Sequence, residues 1–478
     1  MPAILPATFQ NPSRVRFGVF GFICTLSLLT YLDRVCIMRV QGDIQHDLGL
    51  TAEQMGWVFS AFLIGYGLFE IPGGWMGDVW GPRKVLTRIV IWWSAFTALT
   101  GLVPALQGSA PTLFGMQVPL WVDGFLLLVG VRFLFGCGEA GAYPNIARVV
   151  GSWFPYNERG LAQGGVWMSA RLGGAIAPVV IGQLSRWLGW REAFWILGAV
   201  GLAWCIVFWY WFRDTPEEMD ACNAAERDLI RAGQFGAHAK AGHSMPPFGM
   251  MIGSVTMWAL CVAGAGVSFG WYFYPTWQPV FLKEQFGISF ADSEILTGLP
   301  FLCGAAGSII GGKLSDYLIY RTGRRRWGRS LLGLFGFSGA GVCVVLTGQV
   351  VEAWQAVFLL CLAFFINDVA IPVIWAVSSD VGGRYAGTVA GVMNTAGAIG
   401  AVISPALTPV LRNSFPWPVI FMVLSGGWFV AALAWLWIDA SKPLFPEPPA
   451  EPEPPPPLAP IQSESIQAAN EHVRSKND

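Results

Sequence analysis

Apolar runs of about twenty residues alternate with short polar connections along most of the chain, and twenty is the helical length needed to cross a hydrocarbon core of roughly 30 Å. Such runs begin near Phe17, Gly56, Leu86, Gly124, Leu161, Ala193, Ile252, Ile295, Ser330, Ala353, Tyr385 and Val419. The pattern predicts an all-α membrane protein with twelve transmembrane helices. The first run follows Arg14 and Arg16 in the manner of a signal peptide, but it continues through the charged YLDR (31–34) without a small-residue cleavage site. It is therefore read as the first span.

The polar connections supply the organisation. The longest of them, 213–247, divides the spans into two sets of six, and the tail, with PEPPAEPEPPPPLAP (446–460) at its heart, is too proline-rich and polar to bury a core. The expected boundaries are a first half at 1–212, a linker with a short helical piece at 213–250, a second half at 251–440 and a disordered tail at 441–478. Two echoes relate the halves. GGWMGDVWGPRK (73–84) and GGKLSDYLIYRTGRRR (311–326) both place an Asp four residues after the second Gly and then a basic cluster. RGLAQGGVWMSARLGG (159–174) and RYAGTVAGVMNTAGAIG (384–400) both open on Arg and run into a glycine- and alanine-rich helix. Matching halves imply a pseudo-two-fold arrangement, a cavity between them, and rocking of one against the other.

Charge orients the molecule. Arg14, Arg16, Arg83, Lys84, Arg88, Arg148, Arg159, Arg213 and the cluster around Arg324 to Arg326 fall on one side, whereas Arg39, Arg186, Arg191, Lys283 and Arg412 are the basic residues of the other. The positive-inside rule then puts both termini in the cytoplasm of a cell with a bacterial-type inner (plasma) membrane. Composition agrees: 54% hydrophobic and 12% charged residues, with a mean hydropathy of +0.52, exclude a single soluble core. A net charge of −1 without a long basic block argues against nucleic acid as a partner. Of nine cysteines only Cys222 falls in a polar connection, and no C-x-x-C pair suggests a metal or redox site. No cofactor is expected. The four histidines lie in connections or the tail, so a proton carrier within the membrane must be a carboxylate. No nucleophile and base cluster together in the spans, which argues against an enzyme.

Several motifs carry a resemblance. GGWMGDVWGPRK resembles the cytoplasmic loop signature of the major facilitator superfamily, and the similarity covers nearly the whole chain to about Asp439. YLDR (31–34), VRFLFGCGEAGAYPN (131–145), WFPYNERG (153–160) and GGRYAGTVAGVMNTAG (382–397) together resemble the anion:cation symporter family, which includes galactonate, hexuronate, glucarate and phthalate transporters.

Within the spans, charged residues cost a few kcal/mol or more and default to function. Arg132 and Glu139 are seven residues apart, so they share one face of the fourth helix with Glu139 roughly 10 Å deeper. Asp33 on the first helix falls at a depth similar to Arg132. These charges either tie the first and fourth helices together or form an anion site beside a proton site. The resemblance implies the second: Arg132 binds the substrate carboxylate, Asp33 and Glu139 are protonated in turn, and Arg34 organises the site. It also places Tyr31, Tyr66, Trp375 and Asn394 against the substrate. Arg171 lies at midplane depth in the fifth helix. If it faces the cavity, it suggests a substrate with two anionic groups; if it pairs with Glu70 or Asp368, it is structural. Asp78 and Asp316 are expected to pair with Arg83, Arg148, Arg159 or their second-half counterparts, or to sit at a helix N-terminus where the dipole favours an anion.

The function this predicts is proton-coupled symport of an organic anion, a sugar acid, aldarate or related carboxylate, by a monomer surrounded by lipid. A sodium-coupled or facilitative carrier is the alternative, and a non-transporting substrate sensor on the same scaffold is a further one.

Overall fold

The computed structural model describes residues 11–103, 112–113, 116–117, 124–232, 246–288 and 290–445. They belong to one compact unit ending at Phe445, and the tail from residue 446 lies outside the described residues. Nine segments are long and apolar enough to cross a membrane; one of them, Ala353–Arg412, contains two helices, and Pro82–Thr100 and Phe290–Thr322 complete the twelve among the described residues. We number them α1 (Val15–Arg39), α2 (Ala52–Trp80), α3 (Pro82–Thr100), α4 (Gly124–Trp153), α5 (Arg159–Leu188), α6 (Trp190–Trp211), α7 (Val255–Thr276), α8 (Phe290–Thr322), α9 (Arg325–Thr347), α10 (Ala353–Gly382), α11 (Ala386–Arg412) and α12 (Trp417–Ala434). Each corresponds to one run in the sequence. A two-residue hairpin pairs Thr112–Leu113 with Met116–Gln117.

The packing repeats between the halves. In the first half α1 packs on α5, α2 on α4 and α3 on α6; in the second, α7 packs on α11, α8 on α10 and α9 on α12. Between the halves α2 meets α11 and α5 meets α8. The burial pattern inverts that of a soluble protein. Trp57, Leu68, Ile206, Phe335 and Trp354 are exposed on the outside, whereas Glu70, Glu139 and Asp368 are fully buried inside. Lipid solvates the apolar surface, and the polar groups converge on one another.

Two local features position the site. α4 is broken directly after Glu139: Gly141 takes a left-handed φ of 85°, and a Cβ there would lie 2.7 Å from the Gly73 backbone of α2. Glycine is needed for both the turn and the approach. The second feature lies at the start of α1, where Arg14 offers no side-chain cap. Glu226, on the short linker helix Ala224–Arg231, supplies one: it accepts from Val15 N at 2.9 Å, Arg16 N at 3.2 Å, Ser13 Oγ at 2.6 Å and Arg16 Nη1 at 2.9 Å. Arg16 also donates to Glu158 at 2.8 Å. Cys222 therefore does not sit in an open polar connection; it is buried, with its thiol 3.7 Å from Glu226 Oε2.

Burial disfavours the Glu226 carboxylate, but the bonds from Ser13, Val15 and Arg16 outweigh it and hold the group below the usual carboxylate range. Stability from a depressed carboxyl is present above the unfolded value of about 4.3 and is lost as pH falls through the folded value. Glu226→Gln should thus lower the melting temperature at pH 7, by an amount equivalent to roughly 1–3 kcal/mol. The difference from the parent should shrink as pH is taken below about 4. Equal melting temperatures at pH 7 would remove the cap.

Candidate functional site

A cavity of about 140 Å³ opens between the halves, walled by α1, α2, α4, α5, α7, α10 and α11. Tyr31, Arg34, Tyr66, Arg171, Trp375 and Asn394, all singled out from the sequence, line it. Arg132 does not. Its guanidinium is buried on Phe62 and Phe135, at 5.2 and 4.4 Å, and its Nε has no hydrogen-bond partner. Asp33 lies within coulombic range of Arg132 and Glu139, and its Oδ1 is likewise unpartnered. The deeper member of the α4 pair bonds elsewhere: Glu139 Oε1 accepts from Arg34 Nε at 2.5 Å. Arg34 also stands over the Tyr66 ring at 4.3 Å and the Tyr31 ring at 5.6 Å. The face of α4 expected to carry both anion hook and proton seat therefore delivers Glu139 to a cation on the cavity wall. Arg132 stays one layer behind.

Arg171 does both things the sequence left open. It lines the cavity, with Nη1 3.5 Å from the Tyr31 hydroxyl, and it pairs in a fork with Asp368 of α10 at 2.6 and 3.0 Å. The rings of Trp167, Trp271 and Phe364 surround it at 5.0–5.3 Å. Asn394 donates to Glu70 at 2.8 Å and lies 3.3 Å from the Tyr66 hydroxyl, joining α11 to α2. Trp375 is no peripheral residue: with Tyr143 and Trp167 it forms an aromatic cluster, centroids 5.0–5.8 Å apart. By residue depth this cluster lies between the cavity and the arginine-rich end.

At that end the two sequence echoes meet crosswise. Asp78 of α2 accepts from Gly387 N at 3.0 Å and from the Thr388 backbone and hydroxyl at 2.7 Å, at the first turn of α11. Asp316 of α8 accepts from Gly160 N at 3.0 Å and Leu161 N at 2.7 Å, at the first turn of α5. Each carboxylate thus takes up the free amides of a helix in the opposite half. Backbones touch there: a Cβ on Gly74 would lie 2.2 Å from Gly387 O, and one on Gly312 would lie 2.2 Å from Gly160 O. Arg148 stands 3.8 Å from Asp78 and donates to Gly383 O. Arg159 does not pair with Asp78 but with Asp380 at 2.9 Å, and Arg329 bridges Asp380 and Asp316. Arg83 is also elsewhere: its side chain donates to Trp209 O and its backbone N to Asp214. Among the described residues, the hydrogen bonds between halves lie at the cavity or at this end.

Asp380 and Arg329 escaped the sequence reading because they sit at helix ends where charge is unremarkable. Tyr143 was within reach, one turn after Glu139 in EAGAYPN. Of the two partners weighed for Arg171, Asp368 is the one it pairs with, whereas Glu70 accepts from Asn394.

Twelve helices in matched halves, closed at one end around a buried polar cavity, are the architecture of a membrane transporter. The chain belongs to the Major Facilitator Superfamily, whose family model matches residues 23–405. Among its relatives, the probable sulfoacetate transporter SauU of Cupriavidus necator is 35% identical over 89% of this chain and 94% of that protein. The probable galactarate/D-glucarate transporter GudP of Bacillus subtilis is 28% identical over 84% and 86%. The solved structure of the proton:xylose symporter XylE superposes with a TM-score of 0.70 at 16% identity, covering 90% of this chain and 97% of that one, and shows the same fold. The human organic anion transporter MFSD10 gives 0.64 at 15%, covering 89% and 100%.

Asp78→Asn should weaken the crosswise contact. Hydrogen–deuterium exchange of the peptide bearing Gly387 and Thr388 is expected to accelerate by about tenfold, the equivalent of one lost charge-assisted bond. Unchanged exchange would show that Asp78 does not hold that helix end.

Proposed function

We propose that the protein is a proton-coupled symporter for a small organic anion, working by alternating access. Its two halves, 1–212 and 251–440, rock about the cavity, joined by the linker at 213–250. It acts as a monomer in a bacterial inner membrane, with the arginine-rich end and both termini in the cytoplasm. Relatives named for sulfoacetate and for galactarate/D-glucarate transport support an acid as the substrate.

The observation that carries this reading is the Arg34–Glu139 ion pair on the cavity wall. A guanidinium cannot lose its proton there and binds a carboxylate with two parallel bonds. An entering anion competes with Glu139 for Arg34. Once displaced, Glu139 is a carboxylate in a low-dielectric site without its cation, and a proton is the cheapest neutralisation. Anion binding and proton uptake are thereby the same event. Asp33, beside Arg132, takes the proton alternately with Glu139, and Arg132 stabilises whichever of the two is ionised. Arg34 replaces Arg132 as the anion hook, because Arg34 lines the cavity. Tyr31, Tyr66, Trp375 and Asn394 shape the rest of the binding surface. Asp78 and Asp316, with Arg148 and Arg159 beside them, lock the cytoplasmic end while the cavity loads from outside.

In proteoliposomes, an inward proton gradient should drive accumulation of sulfoacetate or a sugar acid. Glu139→Gln is expected to keep anion exchange but lose accumulation. Arg34→Ala should lose binding, by an amount on the order of 2–5 kcal/mol. Accumulation driven by sodium at constant pH would replace the proton, and no flux with any carboxylate would leave a sensor.

A further inference from the structure

The cavity holds a second buried ion pair that the coupling scheme above does not use. Arg171 and Asp368 come from opposite halves, and both are almost completely buried. Asp368 also accepts from Asn367 at 2.9 Å and lies 3.4 Å from Ser308 Oγ. A fork this well satisfied gains little net stability over apolar packing, and it sits on the wall of the binding cavity. Three of the five N–H donors of Arg171 are engaged, which leaves two. Nε and Nη2 of Arg171 engage Asp368, while Nη1 turns to the Tyr31 hydroxyl. The same tyrosine carries Arg34 over its ring at 5.6 Å. Arg34 spends Nε on Glu139, and its Nη2 is buried without a partner. Arg34 and Arg171 both line the cavity, each keeps N–H donors beyond its ion pair, and both contact the same tyrosine.

We infer that the substrate is a compact dianion whose two acidic groups are held by Arg34 and Arg171. This rests on the carrier reading above and narrows its substrate class. One acid group takes the remaining N–H donors of Arg34 and the other those of Arg171, on either side of Tyr31. A cavity of about 140 Å³ is the volume that accommodates a benzene-sized ligand. It suits two acidic groups on a one- or two-carbon spacer. The two sites also lie on different halves' seams: Arg34 with Glu139 is internal to the first half, whereas Arg171 with Asp368 joins α5 to α10. A dianion therefore reports to the second half as well as the first, which a monoanion on Arg34 does not.

The test is binding of malonate, of its isosteric monoanion malonamate, and of glucarate to the purified full-length protein, by calorimetry. Malonate is expected to bind roughly 10- to 100-fold more tightly than malonamate, the range for one additional charge-assisted contact, and glucarate more weakly than malonate. In Arg171→Gln/Asp368→Asn, which removes both charges together so that neither is left unpaired, the malonate preference should collapse to within about threefold of unity. Retention of the preference in that variant would make the pair a structural latch only and overturn the inference. Equal affinity for malonate and malonamate in the parent protein would overturn it without any variant, even should the double substitution fail to fold. Malonamate and malonate taken up equally well would sink this inference and leave the carrier reading standing; no flux of either, or of any other carboxylate, would sink the carrier reading itself.

Discussion

Arginine keeps its charge in any protein environment, and among the described residues several are buried within or at the ends of the spans. Arg16, Arg132, Arg148, Arg159, Arg171 and Arg329 are each no more than 7% exposed, with Arg34 half-buried on the cavity wall. A permanent cation in a medium without water requires an anion nearby. The carboxylates that answer this requirement are Glu139 for Arg34, Asp368 for Arg171, Asp380 for Arg159 and Arg329, and Asp78 near Arg148. Which helix supplies each carboxylate fixes which helices can separate. Glu139 comes from the same half as its arginine, so that pair is independent of the contact between halves; Asp368 and Asp380 come from the opposite half, so their pairs with Arg171 and Arg159 are part of that contact.

The architecture was legible because its cause is local. Twenty apolar residues have one solution in lipid, and every run became one helix. The repeats were legible for a related reason: the Gly-Gly steps mark close backbone approach, and the aspartates after them mark a polar need at a helix end. What could not be read was the partner. Periodicity puts Arg132 and Glu139 on one face of α4, but the orientation of that face relative to α1 depends on the break at Gly141 and on its contact with Gly73. That contact is non-local. It hands Glu139 to Arg34, so the two residues of that face part company: Glu139 is tied to α1 at the cavity wall and Arg132 is left behind it. Arg171 shows the same limit. Its depth was right and both candidate fates were visible, but the sequence offers no means of seeing that one guanidinium has edges enough for both.

The aromatic residues around the cavity do more than fill space. Trp167, Trp271 and Phe364 lie around the Arg171 guanidinium, so the buried ion is stabilised by ring quadrupoles. Tyr143, Trp167 and Trp375 pack beneath the cavity in the direction of the arginine-rich end. Trp375 comes from the second half, so its tilted contacts with Tyr143 and Trp167 are part of the contact between the halves.

The crosswise carboxylates have a consequence for solvent. When Asp78 leaves α11 and Asp316 leaves α5, four backbone amides lose their acceptors at once, two on each helix. Neither helix has another carboxylate in its first turn to turn to. The only substitute of sufficient mobility is water, which must reach both helix ends at the moment they part. Any separation at this end would therefore be a wetting transition, limited as much by the entry of solvent into two narrow glycine-lined seams as by the movement of the helices.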